Sequence, residues 1–196
     1  YKYVNIIILK MVVFWIVGGI VVVLGLWLLL TYNAFVRLKN QVENAWSQID
    51  VQLKRRTDLI PNLINTVKGY AKHERETLDS VTEARSQLMS AQESGDTKQM
   101  AESDNMLTGA LKSLFAVSEA YPDLKANTNF LQLQEELSGT ENKISAARQY
   151  FNDMVMSFNT KLQSFPASVV GNIFGFKEKE FFEIPEEQKE VPKVEF

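Results

Sequence analysis

The sequence predicts an all-α protein, in which an N-terminal transmembrane helix precedes an antiparallel bundle of three to four long helices. Residues 11–30 carry no charged side chain, and about 20 such residues form a helix that can cross the ~30 Å hydrocarbon core of a bilayer. From residue 33 onward, apolar residues recur at steps of three and four, which is the spacing of one helix face. Nine glycines and five prolines among 196 residues suit long helices better than a loop-rich β fold.

The apolar stretch separates an N-terminal flank, residues 1–10, from a predicted transmembrane helix, residues 11–31, whose partner is the lipid bilayer. Trp15 and Trp27 lie towards the ends of the stretch, where interfacial aromatic residues are expected. The stretch is longer than the roughly 7–15 residues of a signal-peptide core, and no small-residue cleavage site follows it. An uncleaved anchor is therefore predicted.

The charges around the span leave its orientation open. Lys2 and Lys10 before the span balance Arg37 and Lys39 after it, and an excess of positive charge is what marks the cytoplasmic side. A native start at Met11 would place the body in the cytoplasm. If the preceding flank belongs to the native protein, an extracytoplasmic body is equally compatible.

The predicted bundle covers residues 32–166. We expect its first helix to continue to Met89 with an interruption at Pro61, because proline lacks an N–H and its ring crowds the carbonyl of Thr57. Arg56 occupies a position on the apolar stripe of this helix. The stripe consists of Phe35, Leu38, Val42, Ala45, Ile49, Leu53, Ile60, Leu63 and Val67.

Two further long helices complete the predicted bundle. A turn at residues 93–96 introduces the second, which stops at Tyr121 and Pro122. The last runs from about Phe130 to Phe165 and places four phenylalanines on one heptad stripe. These are Phe130, Phe151, Phe158 and Phe165.

An apolar C-terminal segment, residues 167–183, follows the bundle and precedes an acidic tail, residues 184–196, which is predicted to be mobile. The segment is too short and too interrupted by glycine to span a bilayer. It could cap the bundle, lie at the membrane surface or bind a partner, and its apolar residues form a candidate interaction surface. They are Val169, Val170, Ile173, Phe174, Phe176, Phe181 and Phe182.

Several runs of residues are similar to the signature of the LemA family of bacterial membrane proteins. They are KRRTDLIPNL at 54–63, VKGYAKHE at 67–74, YPDLKA at 121–126 and GTENKI at 139–144. Residues 165–183 resemble the C-terminal end of the family. The resemblance implies a single-pass protein of the bacterial inner membrane with a helical-bundle body. It implies no established activity and no catalytic residue.

The cationic run around Lys54 is the first candidate site, and it has two interpretations. In one, Arg56 faces inward and pairs with a carboxylate of another helix, for which Glu141 is the candidate. In the other, the run holds an anion or a phospholipid head group. Three consecutive residues point about 100° apart on a helix, so they do not form one flat patch. The candidate residues are Arg55, Arg56, Asp58, Pro61 and Asn62.

A second set of polar residues is predicted to form interhelical contacts. Glu141 and Arg148 lie seven residues apart on the last helix and therefore share a face. The set consists of Tyr70, His73, Glu74, Glu141 and Arg148. Because the chain has a single histidine and no cysteine, we expect no metal site and no cofactor.

These patterns predict a non-catalytic, membrane-anchored scaffold or adaptor that binds an unidentified protein or envelope component. The alternative is an anion- or ligand-sensing module built on Lys54–Arg56 and the helix interruption at Pro61. A net charge of −3 without a basic patch predicts no nucleic-acid partner. The patterns do not predict an oligomeric state.

Overall fold

The computed structural model describes residues 2–182, with side chains from residue 10 onward. It contains six helices and no strand within this range, which confirms the all-α prediction. The predicted mobile tail, 184–196, lies outside the described residues, as do the side chains of most of the N-terminal flank. The helices are α1 Lys2–Tyr70, α2 Arg75–Ser94, α3 Thr97–Ser118, α4 Pro122–Lys125, α5 Thr128–Gln163 and α6 Ala167–Ile173.

The first helix ends earlier than the apolar spacing predicted. α1 stops at Tyr70 and α2 starts at Arg75, so the predicted single helix to Met89 is wrong. Residues 71–74 contain no glycine or proline to mark the break. Contacts with residues distant in the sequence stabilise the turn instead: Glu74 accepts a hydrogen bond from Tyr121 and Tyr70 accepts one from Asn127.

The predicted interruption at Pro61 is also wrong, because α1 remains helical through this residue. Proline removes the N–H that would bond the carbonyl of Thr57. The Nε atom of Arg85, on α2, donates a hydrogen bond to that carbonyl at 2.8 Å. The lost backbone bond is therefore replaced from a neighbouring helix, and the proline itself is exposed to solvent.

The described chain divides into two compact units. The anchor unit comprises residues up to 42 together with 156–179, and the bundle unit comprises 43–155 together with 180–182. In the anchor unit, the uncharged stretch is exposed from residue 11 to residue 26. Further along α1, Phe35 stacks on Phe176 with ring centroids 5.0 Å apart and meets Phe158 edge-on.

In the bundle unit, the apolar stripes of α1, α2, α3 and α5 form the core. α1 and α5 run antiparallel, since Arg56 pairs with Glu141 whereas Tyr70, further along α1, bonds to Asn127. Asp96 caps α3 by accepting bonds from the next helical N–H groups. The largest fully buried core side chains are Ile49, Leu53, Ile60, Leu63, Leu88, Met100, Leu107, Leu114, Phe130 and Phe182.

The predicted phenylalanine stripe on the last helix holds for Phe130, Phe151 and Phe158, which are buried, but Phe165 is 85% exposed. Leu162 is buried in its place. An ideal helix drifts about 20° per heptad from a strict seven-residue repeat. Moreover, α5 ends at Gln163 before it reaches Phe165.

Candidate functional site

Four charged side chains meet in the middle of the bundle unit and form what we call the charge cluster: Arg56, Asp104, Glu141 and Arg148. Asp104 is completely buried, and its Oδ1 accepts a hydrogen bond from Nη1 of Arg56 at 2.6 Å. Its Oδ2 pairs with Nη2 of Arg148. Glu141 Oε2 lies 2.8 Å from Nη1 of Arg56, and Thr108 accepts a further bond from Nη2 at 3.0 Å.

Helical spacing places each member of the cluster. Arg56 occupies a core position on the stripe of α1 and is only 3% exposed. Glu141 and Arg148 lie two turns apart on one face of α5. Sequence reasoning missed Asp104, although a signal was present. Asp104 follows the buried Met100 by four residues and precedes the buried Leu107 by three, so it lies on the apolar face of α3.

The charge cluster is balanced, with two cations facing two carboxylates. Burying an ion costs several kcal/mol of hydration, which the protein recovers only through close pairing and hydrogen bonds. Arg148 gains a further contact because its guanidinium lies 4.8 Å from the ring centroid of Phe182. The Nε atoms of Arg56 and Arg148 are buried without a hydrogen-bond partner. The arrangement joins α1, α3 and α5 through their side chains.

The rest of the cationic run points elsewhere. Lys54 is exposed, and Arg55 is half-exposed with its guanidinium 3.8 Å from Glu136. Asp58 and Asn62 are exposed, as is Pro61 between them. Of the candidate residues in this run, the structure therefore brings only Arg56 into the cluster, together with Glu141 and Arg148 from the predicted interhelical set.

The turn between α1 and α2 holds the rest of the predicted interhelical set. The Tyr121 hydroxyl donates to Glu74 Oε1 at 2.9 Å, and this bond raises the pKa of the Tyr121 phenol above its ordinary value of 10.0. The Tyr70 hydroxyl accepts from Asn127 at 2.9 Å. His73 is exposed. These contacts connect the turn to the residues on either side of α4.

The predicted interaction surface of the C-terminal segment is divided between buried and exposed residues. Val170 and Phe182 are buried, Phe176 is half-buried, and the remaining members are exposed. They are Val169, Ile173, Phe174 and Phe181.

Two asparagines that sequence reasoning missed hold the chain after α6. In the anchor unit, Asn159 donates to the carbonyl of Lys179 at 2.8 Å and accepts from its N–H at 2.9 Å. In the bundle unit, Asn152 bonds both backbone groups of Phe182 in the same manner, at 3.0 and 2.8 Å. A side-chain amide offers one donor and one acceptor, which match the two groups of a single extended residue. No periodicity in the sequence signals this pairing.

Two clefts open on the bundle unit. One, of about 260 Å³, lies beside Arg56 and is also lined by Lys112 and Ser138. The other, of about 580 Å³, lies between α1 and α5 and is lined by Val51, Tyr150 and Lys143 together with small and amide side chains. Among the residues whose side chains are described, no group of three or more His, Cys, Asp or Glu could hold a metal ion.

The fold and the cluster together define a class of protein. It is a helical bundle that contains a balanced charge cluster, and its first helix also includes a candidate membrane anchor. By length and composition, α1 is the one helix in the described part of the chain that could cross a membrane. The model of the LemA family matches residues 45–196. The chain belongs to the LemA family.

Individual relatives agree with this assignment. Protein LemA of Metamycoplasma hominis is 33% identical over 134 residues, which cover 68% of this chain and 60% of that protein. The magnetosome protein MamQ of Magnetospirillum gryphiswaldense is 24% identical, with 79% of this chain and 65% of that protein covered. Magnetosome protein MamQ 2 of Paramagnetospirillum magneticum is 23% identical over 80% and 66%. The chain thus spans about 60–66% of the length of these relatives.

Proposed function

We propose that this protein is a single-pass scaffold or adaptor of the bacterial cell membrane, which acts by binding another protein or an envelope component and not by catalysis. The observation that carries the proposal is that one continuous helix, α1, supplies both an uncharged stretch of membrane-spanning length and the apolar stripe of the bundle. Tethering to a membrane raises the effective concentration of a binding module for partners at the same surface.

The contacts within the charge cluster support a structural role for its four charged residues. Asp104 pairs with both guanidinium groups inside the bundle, and Glu141, whose side chain is 36% exposed, forms a further ion pair with Arg56. A general acid or base needs a group within reach of a substrate proton, but Asp104 is completely buried. The cluster therefore serves to hold three helices in register.

The larger cleft is the surface that we assign to the partner. Val51 and Tyr150 are 61% and 42% exposed at its rim. Aromatic residues are enriched at protein interfaces. The neutral amides of Asn44, Gln48 and Gln52 offer hydrogen bonds, and Lys143 adds one positive charge to the lining. A helix or an extended segment of a partner fits a groove of this kind between two helices.

Site-specific photo-crosslinking in living bacteria tests the proposal. A benzoylphenylalanine at position 51 or 150 of the full chain should yield a discrete adduct with one protein. The control is position 106, where Met106 is 52% exposed and lies outside both clefts. Absence of an adduct at all three positions, or equal adducts at the control, would count against an adaptor function.

The alternative, an anion- or ligand-sensing module, has one observation in its favour, the smaller cleft beside Arg56 and Lys112. Against it, the Nη atoms of Arg56 are already engaged by Asp104, Glu141 and Thr108. An anion would have to displace either Asp104, which is completely buried, or Glu141, whose side chain is 36% exposed. Thermal unfolding with and without phosphate separates the two functions. A sensor is stabilised by its ligand, so phosphate should raise its unfolding temperature and Lys112→Gln should abolish this increase. A scaffold should show no increase that depends on Lys112.

A further inference from the structure

Helix α6 and the residues on either side of it present an exposed apolar surface in the anchor unit. We call this surface the interfacial face: Phe165, Val169, Ile173 and Phe174, which are 85%, 47%, 68% and 47% exposed. Isolated apolar residues on a surface need no explanation, but neighbouring large ones indicate a contact.

The opposite side of α6 is docked, so the helix has two distinct faces. Val170 is 1% exposed and Gly171 is buried. A Cβ atom built at Gly171 would overlap Leu162 and lie 3.4 Å from Phe35. α6 is therefore held against α1 and α5, and the interfacial face cannot turn inward without undocking the helix.

Aromatic contacts fix the position of this segment along α1. The ring centroid of Phe174 lies 4.7 Å from that of Tyr32, which follows the last residue of the uncharged stretch by two positions. Burial begins within that stretch, since Trp27 and Leu28 are half-buried and Thr31 is 8% exposed. The protein thus packs around the end of the stretch, at the level where a membrane helix leaves the hydrocarbon core.

The same unit is strongly basic, although the whole chain is acidic with a net charge of −3. After the uncharged stretch, its described residues include five cations and a single carboxylate, that of Glu178. The cations are Arg37, Lys39, Lys161, Lys177 and Lys179. Each Lys or Arg near an anionic membrane surface strengthens binding to that surface.

We propose that the interfacial face lies in the head-group layer of an anionic lipid bilayer and forms a second membrane contact beside the span. The inference rests on the proposed membrane anchoring. It adds the chemistry of the lipid and the residues that contact it. Short amphipathic elements enter the interface about 5–10 Å deep, with apolar side chains inward and basic side chains at the phosphates. The exposed phenylalanines and the basic set of the anchor unit supply both kinds of side chain.

Depth-dependent fluorescence quenching tests this placement. The chain has no cysteine, so single-cysteine variants of the full chain can be labelled with bimane and reconstituted into vesicles of phosphatidylcholine and phosphatidylglycerol. Doxyl groups near the head of the acyl chain then quench labels at the interface, and doxyl groups near its end quench labels in the middle of the bilayer. The reporter is Ile173→Cys, Val21→Cys reports the span and Met106→Cys the bundle unit; all three positions are exposed.

The expected result is that the label at 173 loses most of its emission to shallow doxyl lipid, whereas the label at 106 keeps its emission. Quenching at 21 without quenching at 173 overturns the proposal. It agrees with the membrane anchoring of α1 and indicates a protein partner for the interfacial face. No quenching at 21 overturns the membrane anchoring itself, and the second contact with it.

The lipid charge is tested in the same vesicles. Replacing phosphatidylglycerol by phosphatidylcholine, or introducing Lys177→Gln with Lys179→Gln, should reduce quenching at 173 and leave quenching at 21 unchanged. Equal quenching at 173 in neutral and anionic vesicles overturns the assignment of anionic lipid as the partner.

Discussion

Replacing Asp104 by asparagine is the most informative test of the charge cluster. The substitution keeps the shape of the side chain but removes one of two carboxylates that face Arg56 and Arg148. The cluster then carries a net positive charge in a site where Asp104 is 0% and the arginines are 3% and 6% exposed. Breaking a buried ion pair from one side costs about 3–5 kcal/mol. This is a large part of the ~5–15 kcal/mol by which a domain is stable.

Urea unfolding of the full chain in mild detergent, followed by far-UV ellipticity, measures this loss. With a denaturant dependence of about 2 kcal/mol per M, the midpoint for D104N should fall by about 2 M. The control Asp123→Asn removes an exposed carboxylate and should change the stability by no more than about 0.5 kcal/mol.

A double variant separates charge imbalance from a general disturbance of α3. In D104N with Arg148→Met, the excess cation is absent, so part of the lost stability should return, with a coupling of about 0.5–3 kcal/mol. A loss below about 1 kcal/mol for D104N, or strict additivity in the double variant, would refute the reasoning that the cluster holds the bundle by balanced charge.

Three further predictions concern the contacts that the helices make with one another. Arg85→Met should lower the free energy of unfolding in urea by about 1–3 kcal/mol, because it leaves the buried carbonyl of Thr57 without a hydrogen bond. Adding Pro61→Ala should remove most of this loss by restoring the helical N–H. An equal loss with proline and with alanine at position 61 would contradict the replacement of the backbone bond by Arg85. Asn152→Ala should speed amide exchange at Phe182 about fivefold, as loss of a ~1 kcal/mol hydrogen bond requires; unchanged exchange would contradict the role of Asn152 in holding this segment. Because the folded-state pKa of Tyr121 is raised, its bond to Glu74 should stabilise the protein below pH 10 and fade as the pH rises through the raised value. Ultraviolet titration of tyrosinate should show that Glu74→Gln lowers this pKa, and an unchanged titration would contradict the bond.

The apolar spacing was sufficient to predict most of the core. Eight members of the predicted α1 stripe are buried, and Leu38 is half-buried. The same spacing placed Arg56 on the inward face and led to Glu141 as its partner. Helical periodicity is a local property, so it identifies which face of each helix is inside without any knowledge of the other helices.

What the sequence did not reveal depends on contacts between distant residues. Asp104 lies on the buried face of α3, but its role depends on contacts with Arg56 and Arg148, which lie 48 and 44 residues away along the chain. No glycine or proline follows Tyr70 to mark the end of α1, which is stabilised by tertiary contacts. The carbonyl of Thr57, which Pro61 leaves without its helical partner, accepts a hydrogen bond from Arg85, 28 residues further along the chain.

The most direct test of an anchored adaptor is to compare photo-crosslinking at position 51 in two forms of the chain in living bacteria. One form is native, and the other carries Val21→Arg and Val22→Arg within the span, each of which opposes membrane insertion by about 2.5–3.5 kcal/mol at the bilayer centre. We predict one discrete protein adduct in the native form and a severalfold lower yield in the released form. An equal yield from both forms, or no adduct from the native chain, would contradict the proposed function.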